Sequence, residues 1–282
     1  MTPMTPMTPL TPVTHAPAAR SARTPPPPLA IRALDLLASE WTKFRSVRSS
    51  FWSLLVAVVT PIGVSTVVAV AFANQPASAG PPPDPLLPEV LSLEYAVIAV
   101  SVMGVLAFSS EYSTGLIRTT FSAAPRRRAV LAAKAVVLGT VTLAAGELVA
   151  FASFFFVQAV LAGHHQGVSL SRPGVPGAVL AAGLLLCVCT LLGLALGSII
   201  RHTAGGIAAT IAVIVLPSIL GLLPPPWSGR IGRFTLLEAA RQVTALHPAG
   251  NLFSPGLSLL VLLTWPAAAL AAAAILITRR DI

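Results

Sequence analysis

The chain has 282 residues, of which 55% are hydrophobic and only 10% charged, and its mean hydropathy is +0.84. A water-soluble globule of that composition lacks the polar residues to cover its own surface, so the chain is expected in a bilayer. The formal charge of +9 does not point to nucleic acid, because the basic residues fall in short segments between long apolar runs rather than on one soluble face; anionic lipid or a cytoplasmic protein is the expected electrostatic partner.

Residues 1–28 repeat Thr-Pro and end in four prolines. No apolar stretch of signal-peptide type occurs there, and proline lacks the donor that a helix needs, so an extended or disordered cytoplasmic tail is expected. Residues 29–50 carry Leu34, Leu37, Trp41 and Phe44 at spacings of three and four, with Arg32, Asp35, Glu40, Lys43 and Arg45 largely elsewhere. This pattern predicts an amphipathic helix whose apolar stripe lies in the inner headgroup layer, with Trp41 suited to the interface.

Crossing a hydrocarbon core of about 30 Å takes roughly 20 apolar residues in a helix. Within 51–282, six stretches approach that length: 51–73, about 91–108, 135–161, 175–200, 207–223 and 257–278. They lack the alternation of a barrel strand, so the expected fold class is an all-α integral membrane protein with six transmembrane helices. All of the 18 Lys and Arg residues except Arg172, Arg230, Arg233 and Arg241 then fall on one side of the membrane. The positive-inside bias makes that side cytoplasmic and puts both termini there.

Between the second and third stretches, "SSEYSTGLIRTTFSAAPRRR" sets Tyr112, Leu116, Ile117 and Phe121 among polar residues. The spacing predicts a short helix over Glu111 to Ser122 with a buried side, interrupted by Pro125 before Arg126, Arg127 and Arg128. Those arginines fix topology on lipid in any reading. On the outer side, Phe234, Leu237, Ala240 and Val243 share a face, which predicts short helices resting on or dipping into the outer leaflet and ended by Pro248.

Chemistry is sparse. The only lysines, Lys43 and Lys134, are followed by Phe44 and Ala135, so no Gly-Lys-Ser/Thr phosphate loop exists and ATP is not bound in that way. No His-Glu-x-x-His or Gly-x-Ser-x-Gly string occurs. His164 and His165 are adjacent and read as loop polar residues, and Cys187 and Cys189 read as small packing side chains. Glu147 is the one acid deep in an expected span. A charge at mid-bilayer costs on the order of 3 kcal/mol, so Glu147 should be protonated, paired, or turned to a protein interior or aqueous path.

"SEYSTGLIR" followed by "AAPRRRAVLAAKAVV" resembles the Ser-Glu-Tyr-x-x-Gly-x-Ile-Arg and Pro-x-Arg-x-x-x-Leu-x-x-Lys pattern of type-2 ABC transporter permeases, particularly actinobacterial ones. "SEWTKFRSVRSSFWSLL", "ALGSIIRHTAGGIAA" and the closing "RRDI" are similar to that family too, and the resemblance covers about 34–282. It implies a permease half in the plasma membrane: an interfacial helix, six spans, a coupling helix between the second and third, and re-entrant helices before the sixth. Such a half would pair with a second permease subunit, identical or different, and dock a separate ATPase subunit that carries the ATP and Mg. The contact positions implied are Glu111, Tyr112, Gly115, Ile117 and Arg118, with Pro125 and Arg127 closing the loop. The Thr-Pro tail departs from the family. Two other functions stay open, a proton-driven secondary transporter titrating Glu147 and a non-transporting scaffold or immunity-type protein.

Overall fold

The computed structural model describes residues 33–75, 84–123, 126–220, 227–246 and 253–279. The Thr-Pro tail, the first residues of the expected interfacial segment, Pro125, the end of the expected fifth span and Pro248 lie outside them. In chain order the helices are α1 (Ala33–Ser46), α2 (Arg48–Ala73), α3 (Leu87–Ser113), α4 (Leu116–Ala123), α5 (Arg127–Ala162), α6 (Val175–Ile200), α7 (Thr203–Leu220), α8 (Trp227–Gly232), α9 (Leu236–Thr244) and α10 (Pro255–Arg279). No strand occurs among the described residues.

Five of these, α2, α3, α5, α6 and α10, are long and apolar enough to cross a membrane, which makes the chain a multi-pass α-helical membrane protein by length and composition. The expected fifth span corresponds to α7. Its described apolar part, Thr203–Val215, is shorter than the roughly 20 residues that a crossing takes.

α6 is the central helix. Its most apolar window is 78% buried, against 22% for α2 and α10 and 28% for α5. It packs on α3, α5, α7, α9 and α10. Small residues permit this, since helices in lipid associate through close backbone approach rather than through exclusion of water. A Cβ on Gly193 of α6 would fall onto the Ser101 carbonyl of α3, and one on Gly197 would lie 2.8 Å from the Val105 carbonyl oxygen. On the other side, Gly146 of α5 meets Gly183 of α6 so closely that a Cβ there would sit 2.6 Å from the Gly183 oxygen. Val59 and Val67 of α2, Leu148, Phe155 and Phe156 of α5 and Leu260 of α10 point outward, as residues facing lipid do.

Two apolar clusters divide the bundle. One gathers α3, α5, α6, α9 and α10 around Val97, Phe154, Leu192 and Leu262. The other, at the α4 end, joins Phe108 of α3, Ile117 and Phe121 of α4, Leu131 of α5, Leu194 of α6 and Ile277 of α10.

The short helices differ from expectation in which face they bury. In α9, Leu236, Ala239 and Ala240 are buried, Leu237 and Val243 are half-buried and Phe234 is 52% exposed. The face is rotated because α9 docks on α6, α7 and α10 rather than resting on lipid alone. Thr235 caps α9 by accepting from the Glu238 amide at 3.3 Å. Arg241 pairs with Glu94 of α3, and Trp265 Nε1 of α10 donates to the Phe234 carbonyl at 3.1 Å.

Candidate functional site

α3 ends in the sequence Glu111, Tyr112, Ser113, and the chain reverses through Thr114 and Gly115 into α4. Gly115 has φ +74°, a left-handed conformation that costs a side-chain-bearing residue roughly 1–2 kcal/mol. The expected single helix over 111–122 is therefore two pieces. Glu111 and Tyr112 close α3, whereas Ile117 and Arg118 belong to α4.

α4 is an amphipathic helix of eight residues, a little over two turns. Ile117 is 2% exposed and Phe121 7%, four residues apart and so on one face. Leu116, expected on that face, is 56% exposed because it lies one position off it. Arg118, Thr119 and Ser122 are exposed on the other side. The buried face of α4 rests on the cluster shared by the ends of α3, α5, α6 and α10.

Two of the three clustered arginines, Arg127 and Arg128, brace this corner. The Arg127 guanidinium lies 5.4 Å from the Phe121 ring centroid and donates to the Ile277 carbonyl at 3.3 Å. Ile277 lies in the last turn of α10, where carbonyls lack helical partners. Arg128 donates to the Ala274 carbonyl at 3.3 Å. Tyr112 is half-buried between Phe108, at 5.7 Å, and the Arg201 guanidinium, 5.3 Å over its ring. Beside it Thr203, at the start of α7, donates to Ser109 of α3 at 3.1 Å. Of the seven positions implied by the resemblance, Glu111, Tyr112, Gly115, Ile117, Arg118 and Arg127 come together at one corner, and Pro125 lies outside the described residues.

The most concentrated charge at this corner is a ring of four groups. Lys43 donates to Glu40 at 2.7 Å and to Glu111 at 3.1 Å; Lys134 donates to Glu40 at 2.5 Å and to Glu111 at 2.9 Å. The ring ties α1, α3 and α5 together and contains both lysines of the chain. Glu40, Glu111 and Lys134 are buried, at 4%, 6% and 5% exposed. Burial acts to pull the Lys43 ammonium down. Its hydrogen bonds and charge interactions with Glu40 and Glu111 more than offset that, and its pKa stands above the ordinary 10.5.

This ring gives α1 a packed side beside its outward-facing apolar residues. Its packed side is Leu36, Glu40, Lys43 and Phe44, with Leu36 and Phe44 against the α4 cluster. Leu37 is half-buried, while Leu34 and Trp41 face outward at 73% and 45% exposed. Glu40, Lys43 and Lys134 were not among the expected site residues. A signal was present in their scarcity: Lys134 interrupts the apolar run "AVLAAKAVVLG", and a lone charge there needs a partner.

Glu147 packs flat on Gly183 of α6, where its carboxyl carbon lies 2.6 Å from the position a Cβ would take, and its Oε2 has no hydrogen-bond partner. It is half-buried and distant in sequence and helix turn from the α4 corner. A second acid that the sequence pattern did not bring forward, Glu89, sits in the first turn of α3 at 8% exposed, both oxygens without a partner. Compared with known proteins, the sequence matches no family model and no curated protein.

Proposed function

We propose that the chain is the membrane-spanning permease subunit of an ATP-binding-cassette exporter in the plasma membrane, with both termini cytoplasmic, α7 as a sixth span and a second permease subunit as its companion. The observation that carries this reading is the seating of α4: an eight-residue helix anchored by Ile117 and Phe121 in the cluster where four long helices end, with Arg118 facing away from it. Packed interiors do not deform continuously, so a load applied to α4 shifts those helix ends together. The ATP and Mg belong to the partner ATPase, since neither lysine of this chain stands in a phosphate loop. Closure of two ATPase subunits around nucleotide would load α4 and repack the spans around a path for cargo.

The test begins with whether an adjoining gene encodes a soluble protein with a Gly-x-x-x-x-Gly-Lys-Ser/Thr loop, and continues with co-expression of that protein and this chain. Arg118→Glu is expected to weaken co-purification at least about tenfold and abolish ATP-dependent flux, with membrane insertion unchanged. Undiminished binding and flux would sink the proposal. The proton-driven alternative rests on Glu147 and its unpartnered oxygen. Flux in vesicles with a proton gradient and no ATP, lost in Glu147→Gln, would favour it.

A further inference from the structure

Beside the four-charge ring lies a cavity of about 190 Å³. One water needs only roughly 10–15 Å³, so the space holds a larger group. It sits between the start of α2, the ends of α1 and α3 and the first turns of α5. Trp41 and Trp52, close in sequence to the lining residues Glu40 and Ser50, are exposed, and indole rings favour the boundary between hydrocarbon core and headgroups. The lining changes along α3 and α5. Lys43, Ser49, Ser50 and Glu111 form its polar end, and Ala107 and Leu138, one turn deeper on α3 and α5, form its apolar end.

The polar end is incompletely paired. Glu111 is 6% exposed, yet its Oε2 has no hydrogen-bond partner, a buried acceptor with nothing to accept from. Lys43 uses two of its three N–H donors within the ring and is 38% exposed. The ring itself is neutral, two carboxylates against two ammoniums. A ligand that completes both groups must bring a donor for Glu111 and an acceptor for Lys43 without adding net charge.

We propose that this cavity seats the headgroup of a phospholipid bearing a primary amine, with the ammonium donating to Glu111 Oε2, a phosphate oxygen accepting from Lys43, and the start of an acyl chain over Ala107 and Leu138. An N-trimethylated headgroup of the same charge has no N–H for Glu111. A headgroup with a glycerol in place of the amine offers hydroxyl donors, but adds a net negative charge to a ring that is already neutral. The cavity borders α4 at Leu116 and shares Glu111 with the corner described above, but the inference does not rest on the transport reading.

The test uses the full-length protein, delipidated and returned to mixed micelles with phosphatidylethanolamine, phosphatidylcholine or phosphatidylglycerol of identical acyl chains, with bound lipid counted by native mass spectrometry. Retention of the ethanolamine lipid is expected to exceed that of the choline lipid roughly tenfold, the ratio one charge-assisted hydrogen bond sets. Lys43→Met, which removes a contact to the phosphate that both lipids share, is expected to lower the retention of both, and Ala107→Phe is expected to bring the two to parity. Equal retention by the wild type overturns the proposal, as does stronger retention of the glycerol lipid. An Ala107→Phe protein that still melts cooperatively and holds the ethanolamine lipid at the wild-type level overturns it too. The wild-type comparison decides alone where a variant does not fold.

Discussion

Lys134 Nζ donates to Glu111 Oε1 across 2.9 Å, and the two residues flank α4 in sequence, one closing α3 and the other in the second turn of α5. The bond therefore closes a loop of chain whose middle is the exposed helix. Both side chains are almost fully buried, so neither is screened by water as a surface pair would be.

Removing Lys134 leaves Glu40 and Glu111 facing a single, half-exposed ammonium at Lys43. Lys134→Met is expected to destabilise the protein by about 3–5 kcal/mol, the range for breaking one side of a buried pair. The double variant Lys134→Met, Glu111→Gln restores charge balance and is expected to lose less than the single one, with a coupling of about 0.5–3 kcal/mol. Unfolding titrations in mixed SDS micelles read both values. Additive losses would show that the two groups do not interact.

Lys43 gives the ring a pH dependence of known sign. Its folded pKa is raised above 10.5, so its contribution is complete below about pH 10.5 and is lost as pH rises through the higher folded value. α1 should loosen in that alkaline window, shifting the emission of Trp41, which follows Glu40 directly, lies about one turn from Phe44 and stacks on it at 6.2 Å. Lys43→Met is expected to remove the step. A transition of the same midpoint in that variant would assign it to another group.

The contrast between α6 and α1 shows what was legible in the sequence. The expected stretch 175–200 coincides with α6, because an uninterrupted apolar run announces a span and its ends are marked by local conformation. Gly174 has φ +93° before it, and Arg201 takes a left-handed φ of +61° after it. The Glu111 to Arg118 corner was likewise visible as an order of residue types. The packed side of α1 was not legible, because the burial of Glu40 is decided by Lys134, 94 residues away. No local pattern carries a pairing of that separation. The division of 111–122 at Gly115 was hidden for a related reason: an exposed glycine in a helical pattern is also tolerated within a helix, at a cost of about 1 kcal/mol.

Glycines of one chain should respond in opposite senses according to what surrounds them. At Gly193 a side chain would collide with the Ser101 carbonyl at the α3–α6 contact, where backbone cannot rotate aside. Gly193→Val is expected to force the central helix away from α3 and cost at least about 1–3 kcal/mol. At Gly63 of α2 nothing lies within 4 Å of the added atom, and the residue faces outward. Gly63→Ala removes backbone freedom from the unfolded chain without a clash and is expected to be neutral or to stabilise by about 0.4–1 kcal/mol. The apparent melting temperature of the purified protein in detergent should fall for the first variant and hold or rise for the second. If Gly193→Val melted as the wild type does, α3 and α6 would not be packed backbone to backbone, and the arrangement of the bundle around α6 would have to be redrawn.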